Sequence, residues 1–334
     1  MELFELTRKL IDIESITPNE RDIGNFLFDH LKELALRFDG QVERMPVEPA
    51  RDNIFVRFGE PVVVLSTHMD TVPPFHGSRE DEHQIWGRGA CDTKGIIAAM
   101  ITAARQLLEA GKRNFGLLFV VGEERNSAGA IAASRNPRGS KFLINGEPTE
   151  NKLAVGSKGA LRYEIVAKGR MAHSAYPELG ESAIEKLLEA LNRMRHLRLP
   201  SDPLLGPSTL NIGIIKGGRA PNVIPDEARA EIMVRVVSDA TELRKQIEKA
   251  ARPEASAEEV LFIPAVHLGV LDGFATTVVA FTTDIPAFNG SWGQPFLIGP
   301  GSIRLAHTAE ERIRKSELTE AVELYKQLVE RLSK

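Results

Sequence analysis

The chain has 334 residues, 43% of them hydrophobic, which is ample for a sizeable core and points to two domains rather than one. A formal net charge of -4 and a pI near 6.1 argue against a nucleic-acid or anionic-membrane surface as the main partner. The single cysteine, Cys91, excludes an intramolecular disulfide, no apolar run is long enough to span a bilayer, and the acidic start Met1-Glu2-Leu3-Phe4-Glu5 lacks the basic region of a signal peptide. A cytoplasmic globular protein is the expectation.

Leu3, Leu6, Leu10 and Ile11 recur at helical spacing. After Thr17-Pro18-Asn19, the positions Ile23, Phe26, Leu27, Leu31 and Leu34 predict a second amphipathic helix. Strands are expected over 41–47 and 53–58. The next run, Val62–Ser66, is apolar on both faces, as a strand buried within a sheet should be, and it ends abruptly at His68 and Asp70. Residues two apart on an extended segment share a side, so the Asp70 carboxylate can orient the His68 imidazole. A Gly-rich loop, 87–95, carries Asp92 and leads into a helix on Ile96, Ile97, Met100, Ala103, Ala104, Leu107 and Leu108, closed by Gly111. Two further apolar runs, 117–121 and 142–144, deliver Glu123, Glu124 and Glu147 just past their ends. This alternation predicts an α/β fold: a mostly parallel sheet with flanking helices, whose ligand sites gather at the carboxyl ends of the strands.

The middle third follows another pattern. Strands near 161–167, 209–215, 228–237 and 260–263 and helices on Ala183–Met194 and Thr241–Ala251 fall in the order βαββαβ. We therefore expect an inserted α+β, ferredoxin-like domain over 159–266, with 1–158 and 267–334 forming the other domain. The Ala/Glu-rich stretch 251–259 reads as a solvated loop. The chain then passes through Pro295–Gly301 to His307, and a closing helix carries Leu318, Val322, Tyr325 and Val329 on one face.

His68, Asp92, Glu123, Glu124, Glu147 and His307 form a nitrogen/oxygen donor set suited to Zn²⁺ first, with Co²⁺ or Mn²⁺ as alternatives, and without the thiolates of structural zinc sites. Even five ligands from this set exceed what one open catalytic zinc takes, so a pair of metals sharing one carboxylate is expected. The other histidines, His30, His76, His83, His196 and His267, lack comparable context. Arg235, on an alternating strand, is a candidate for gripping a substrate carboxylate.

The segments Ser66–Pro73, Gly87–Gly95, Gly122-Glu123-Glu124, Gly146–Thr149, His173-Ser174-Ala175, Asn222–Pro225 and Ala306-His307-Thr308 resemble, in order, those of the M20 family of metallopeptidases and amidohydrolases. The resemblance implies a di-zinc exopeptidase-like catalytic domain with a lid or dimerisation domain inserted. It implies that Asp92 bridges two metals, His68 and Glu147 holding one and Glu124 and His307 the other. Glu123 would be the general base, Asp70 the partner of His68, His173 the oxyanion donor and Asn222 a substrate contact. A cis peptide after Asp92 and a homodimer through the inserted domain are also implied. The segments 146–152, 156–160 and 281–284 look most like those of deacetylases acting on N-acetylornithine or N-acetylcitrulline, a step of arginine biosynthesis. Succinyl-diaminopimelate desuccinylase and dipeptidase or carboxypeptidase activities are the alternatives. One departure bears on the substrate: Pro286 stands where several relatives place an arginine against the substrate carboxylate. A non-catalytic metal-binding scaffold on the same fold is the rival of another class, and the intact Glu123 and five intact ligands argue against it.

Overall fold

Strand Val63–His68, with all six residues buried, runs through the middle of a six-stranded sheet in the computed structural model, which describes residues 1–334. Phe115–Val120 and Phe142–Asn145 lie parallel on either side of it, and Gln294–Leu297 pairs in parallel with the latter. Beyond Phe115–Val120 the sheet continues into antiparallel Arg51–Phe58 and Gln41–Glu48. The fold is α/β, with a sheet that is parallel where the donor residues leave it. The register is level there, His68 opposite Val120 and Ser66 opposite Asn145, so the strand ends open on one side.

Both faces of the sheet are covered at its centre, which is why Phe115–Val120 and the first half of Val63–His68 are apolar rather than alternating. Val63 and Leu65 enter a core with the helices Leu3–Ile11, Arg21–Phe38, Lys94–Glu109 and Lys315–Leu332. Val64 points the other way, into a second cluster with Phe55, Leu118, Val120, Ala130, Leu143, Phe288 and Trp292. Helix Lys94–Glu109 is buried over most of its length; its alanines at 98, 99, 103 and 104 allow close approach. The closing helix turns Leu318, Ala321, Val322, Tyr325, Leu328 and Val329 inward, each large side chain adding roughly 1.5–3 kcal/mol of burial.

The chain divides into two compact units, one of Met1–Val155, Leu268–Thr277 and Thr283–Lys334, the other of Gly156–His267 and Val278–Thr282. The second unit holds an antiparallel sheet in the order Thr209–Gly217, Glu227–Val236, Gly159–Lys168, Ala255–Ile263. Helices Ala183–Arg195 and Thr241–Ala251 pack on it around Leu161, Leu187, Leu191, Ile232, Val234 and Ile247. The order is βαββαβ, as the sequence predicts.

One expectation is wrong here. The stretch 251–259 is not a solvated loop: the helix runs to Ala251, and Ala255–Ile263 is an edge strand paired with Gly159–Lys168. Ala255 and Ala257 supply the inward positions, and methyl groups are too small to signal a period of two against glutamates. Two glutamates of the stretch are also partnered, Glu254 with Arg193 and Glu259 with Arg244. Glu259 takes a bidentate bond from Arg244, at 2.7 and 3.0 Å, and the Tyr163 hydroxyl at 3.1 Å.

Candidate metal centre

The first unit brings seven of the ten expected site residues together. His68 closes its strand, Glu123 and Glu124 follow Phe115–Val120 through Gly122, and Glu147 follows Phe142–Asn145. Gly122 makes that turn at φ +80°, a region that costs glycine nothing and other residues much. Asp92 sits at the head of helix Lys94–Glu109, joined to Thr93 by the cis peptide that the resemblance implies. His307 arrives on the loop after Gln294–Leu297 with φ +64°, a left-handed conformation uncommon outside glycine.

The two oxygens of Asp92 face different partners. Oδ1 lies 3.0 Å from His68 Nε2, and Oδ2 lies 3.3 Å from His307 Nε2. Glu147 Oε1 is 4.0 Å from His68 Nε2, and Glu124 Oε1 is 3.0 Å from His307 Nε2. Two imidazole–carboxylate groups therefore meet on one shared carboxylate. The donor atoms of His68, Asp92 and Glu124 all fall within 4.8 Å of one another, close enough to surround an ion. Glu147 Oε1 is buried without a hydrogen-bond partner, an orphan that a cation would satisfy. These residues fit a pair of divalent metals.

The imidazoles and carboxylates of the centre shift one another's titration. Burial works against a charged His68, but the carboxylates of Asp70 and Asp92, with Glu147 and Glu123 nearby, hold its pKa well above the ordinary value. Asp92 and Glu124 hold His307 up at about 10. Burial, reinforced by the neighbouring carboxylates, pushes Glu123 and Glu147 well up despite the pull of His68. Burial opposes ionisation of Asp92 as well, yet the two histidines keep it below the usual carboxylate range.

Asp70 serves more than His68. The His68 Nδ1–H donates to the main-chain carbonyl of Asp70 at 3.0 Å, while the carboxylate Oδ1 stands at 3.6 Å. That carboxylate accepts the Thr17 hydroxyl at 2.6 Å and the N–H groups of Glu123 and Glu124 at 3.1 and 3.2 Å. It thus holds the turn that presents both glutamates.

His173, Asn222 and Arg235 lie in the second unit. His173 is exposed, its Nδ1 accepting the Ala175 N–H at 3.1 Å and its ring edge-on to Tyr176. Strand Ala172–His173 pairs with Val223–Ile224, and the Asn222 carbonyl accepts the Ser174 N–H at 3.0 Å, so His173 and Asn222 share one surface. Arg235 is half-buried on Glu227–Val236, opposite Thr209 and Ala160, and has no ion pair.

Three residues escaped the sequence reading. Asp284 is 1% exposed, and neither carboxylate oxygen is in a hydrogen bond of full geometry. Burial raises its pKa to about 7 against the pull of Ser127, with Asp70 and Glu124 adding to the rise. Glu311 and Arg88 form a buried ion pair against the Asp92 loop. The Asp in Thr282-Thr283-Asp284-Ile285-Pro286 could have been found as the lone charge of a long uncharged segment; nothing local marks Glu311, and Arg88 is marked only by lying within Gly87–Gly95.

A family model described as peptidase family M20/M25/M40 matches residues 64–331. The chain belongs to that family. A peptidase M20 domain-containing protein of Schizosaccharomyces pombe is 40% identical over 98% of this chain and 84% of its own length. A probable carboxypeptidase of Aspergillus oryzae is 38% identical over 97% of this chain and 86% of its own. Among solved structures, the aminopeptidase PepT of Bacillus cereus superposes with a TM-score of 0.80 at 20% identity, covering 100% of this chain and 98% of that one, a likeness of fold. No helix of this M20 chain is long and apolar enough to cross a membrane.

Two expected results arise from this geometry. First, a metal entering the centre must displace the protons that Asp92 and Glu124 hold on His307, up to about pH 10, and those held on His68. A raised pKa keeps the proton on at neutral pH, so apparent affinity rises with pH, by about tenfold per pH unit for each proton displaced. Calorimetry in buffers of different ionisation enthalpy reads the protons released; a flat profile from about pH 6 to 9 contradicts the assignment. Second, Asp70→Asn leaves the shape of the turn and the main-chain bond to the His68 ring but weakens the hold on Glu123 and Glu124 and removes the negative charge 3.6 Å from His68 Nδ1. Metal affinity is expected to fall about 10–100-fold, measured by chelator competition, with unchanged affinity as the contrary result.

Proposed function

We propose that this M20 chain hydrolyses, with two divalent metal ions, the amide bond of a small N-acylated or peptidyl amino acid. The observation carrying this is the division of the two Asp92 oxygens between two imidazole–carboxylate groups. In this reading His68 and Glu147 hold one ion, Glu124 and His307 the other, and Asp92 both. Zn²⁺ suits the donors best, and Co²⁺ or Mn²⁺ would serve. When bound, such a pair polarises the amide carbonyl and brings the pKa of water toward ~7.

The chain's own groups supply the rest. Glu123, whose carboxylate makes no hydrogen bond within the chain and whose pKa burial raises, takes the proton of the attacking water and passes it to the leaving nitrogen. Asp70 keeps the main chain of Glu123 in place. His173 donates to the developing oxyanion, Asn222 contacts the substrate, and Arg235 takes its carboxylate; the lack of an ion pair at half-buried Arg235 supports that last role. A homodimer through the second unit is supported by its free sheet edge, Thr209–Gly217, which exposes Ile214 and Ile215. The single, buried cysteine accords with a cytoplasmic setting.

Two substrate readings have separate support. The segments around Gly146–Lys152 and Phe281–Asp284 favour deacetylation of N-acetylornithine or N-acetylcitrulline. The relatives named probable carboxypeptidases favour removal of a C-terminal residue from a peptide. Comparing kcat/KM for N-acetylornithine, N-acetylcitrulline, N-succinyl-diaminopimelate and a set of dipeptides on the metal-loaded protein separates them. Preference for an acetylated substrate supports the first reading, and preference for dipeptides supports the second. Background rates on every substrate with two metals bound would bring forward the non-catalytic scaffold.

A further inference from the structure

The two halves of the metal centre are held differently. His68 and Glu147 stand at or just beyond the ends of adjacent parallel strands, whereas His307 rides on a loop with its side chain 48% exposed. Glu311, four residues further on, is outside both donor groups. It is 2% exposed, and its Oε2 takes the guanidinium of Arg88, itself 1% exposed, at 2.5 Å. Arg88 is fixed in turn by donating Nε–H to the Pro74 carbonyl at 3.2 Å. The other oxygen, Oε1, accepts the N–H groups of Cys91 and Asp92, each at 3.3 Å. The Glu311 main-chain carbonyl accepts the Gly87 N–H at 3.1 Å. Segment 87–92 thus wraps around one side chain from the loop that carries His307.

A second contact locks the same segments. Gly301, at φ +85°, lies where a Cβ would come within 2.6 Å of Cys91 Cβ, and the Cys91 thiol faces the Ser302 carbonyl at 3.8 Å. After Glu311 the chain is anchored by strand Arg312–Arg314 on Gln84–Trp86. For stability alone this arrangement is a poor choice, since a well-packed apolar pair often does as well as a buried ion pair. An apolar pair cannot accept the N–H of Asp92.

We propose that Glu311, clasped by Arg88, is a positioning residue. It sets the separation of Asp92 Oδ2 from His307 Nε2 and hence, above all, the affinity of the metal site that these two share with Glu124; the His68 side of Asp92 depends on it less, because the neighbouring Thr93 hydroxyl ties the same turn directly to the His68 carbonyl at 2.5 Å. The inference rests on the two-metal reading above.

The test is a Zn²⁺ titration of the full chain by calorimetry with chelator competition, alongside thermal melts. Arg88→Met/Glu311→Leu leaves no buried charge unpaired and removes the acceptor. Arg88→Met/Glu311→Gln removes the same charges but keeps an oxygen for the Cys91 and Asp92 N–H groups. The wild type is expected to take two ions, the Leu variant to lose about 10–100-fold in affinity for one of them and less for the other, and the Gln variant to recover most of that loss. Glu311→Asp keeps the charge against Arg88 while drawing the oxygen back, and is expected to show a smaller loss at the same single site, which covers the case in which the Leu variant does not fold. Two ions bound at wild-type affinity in the Leu and Asp variants, or equal weakening of both sites in step with a fallen Tm, overturns the clasp alone. A wild type that takes fewer than two ions overturns the two-metal reading, and the clasp with it.

Discussion

Replacing Glu123 by Gln is expected to lower kcat by about 10²–10⁴-fold while leaving two metals bound. The variant keeps the size of the side chain and the main-chain bond from Glu123 to Asp70 Oδ1 at 3.1 Å, so the turn stays in place. It loses the ability to carry a proton. Burial, with Asp284, Glu124 and Asp92 close by, raises the Glu123 pKa well above the ordinary carboxylate value even against His68. A carboxylate whose pKa is raised is a stronger base than an ordinary surface glutamate. The check is a paired measurement of turnover and metal content. Wild-type turnover in Glu123→Gln, or loss of metal together with activity, removes Glu123 from the role of proton shuttle.

The second large effect is expected at Asp92. Asp92→Asn preserves shape but replaces one of two oxygens by an amide nitrogen and would remove the negative charge that the proposed pair of cations shares. Because Oδ1 faces the His68 group at 3.0 Å and Oδ2 the His307 group at 3.3 Å, both sites lose at once. Outer partners of metal ligands typically cost 10–100-fold in affinity, so a shared ligand is expected to cost at least about 100-fold at each site, with hydrolysis lost in parallel. His68→Ala and His307→Ala, by contrast, should each weaken one ion far more than the other. Two ions bound normally in Asp92→Asn would contradict the sharing.

Much of this was legible in the sequence because strand ends are legible. Val62–Ser66, Leu117–Val121 and Phe142–Ile144 are apolar on both faces, and a polar residue directly after such a run lies at the carboxyl end of its strand, where sites form. The βαββαβ order of the second unit was readable from helical and alternating periods. What failed was Ala251–Glu259, where alanines provide inward positions without a visible hydrophobic period. Glu311, Arg88 and Asp284 were missed for another reason: their importance lies in contacts across long sequence separations, 223 residues in the case of Arg88 and Glu311. The roles of His173, Asn222 and Arg235 belong to the proposal, since the second unit positions them by its own hairpins and sheet.

The measurement that bears most directly on the central claim is hydrolysis by the metal-stripped chain as divalent metal is returned stepwise. N-acetylornithine and a dipeptide would be followed together, with bound metal counted at each step. Turnover of at least one substrate that is absent without metal, grows as the chain fills to two ions, and disappears on adding a chelator is the predicted result. Full turnover in the metal-free protein, or saturation of activity with a site built for one ion only, would contradict it.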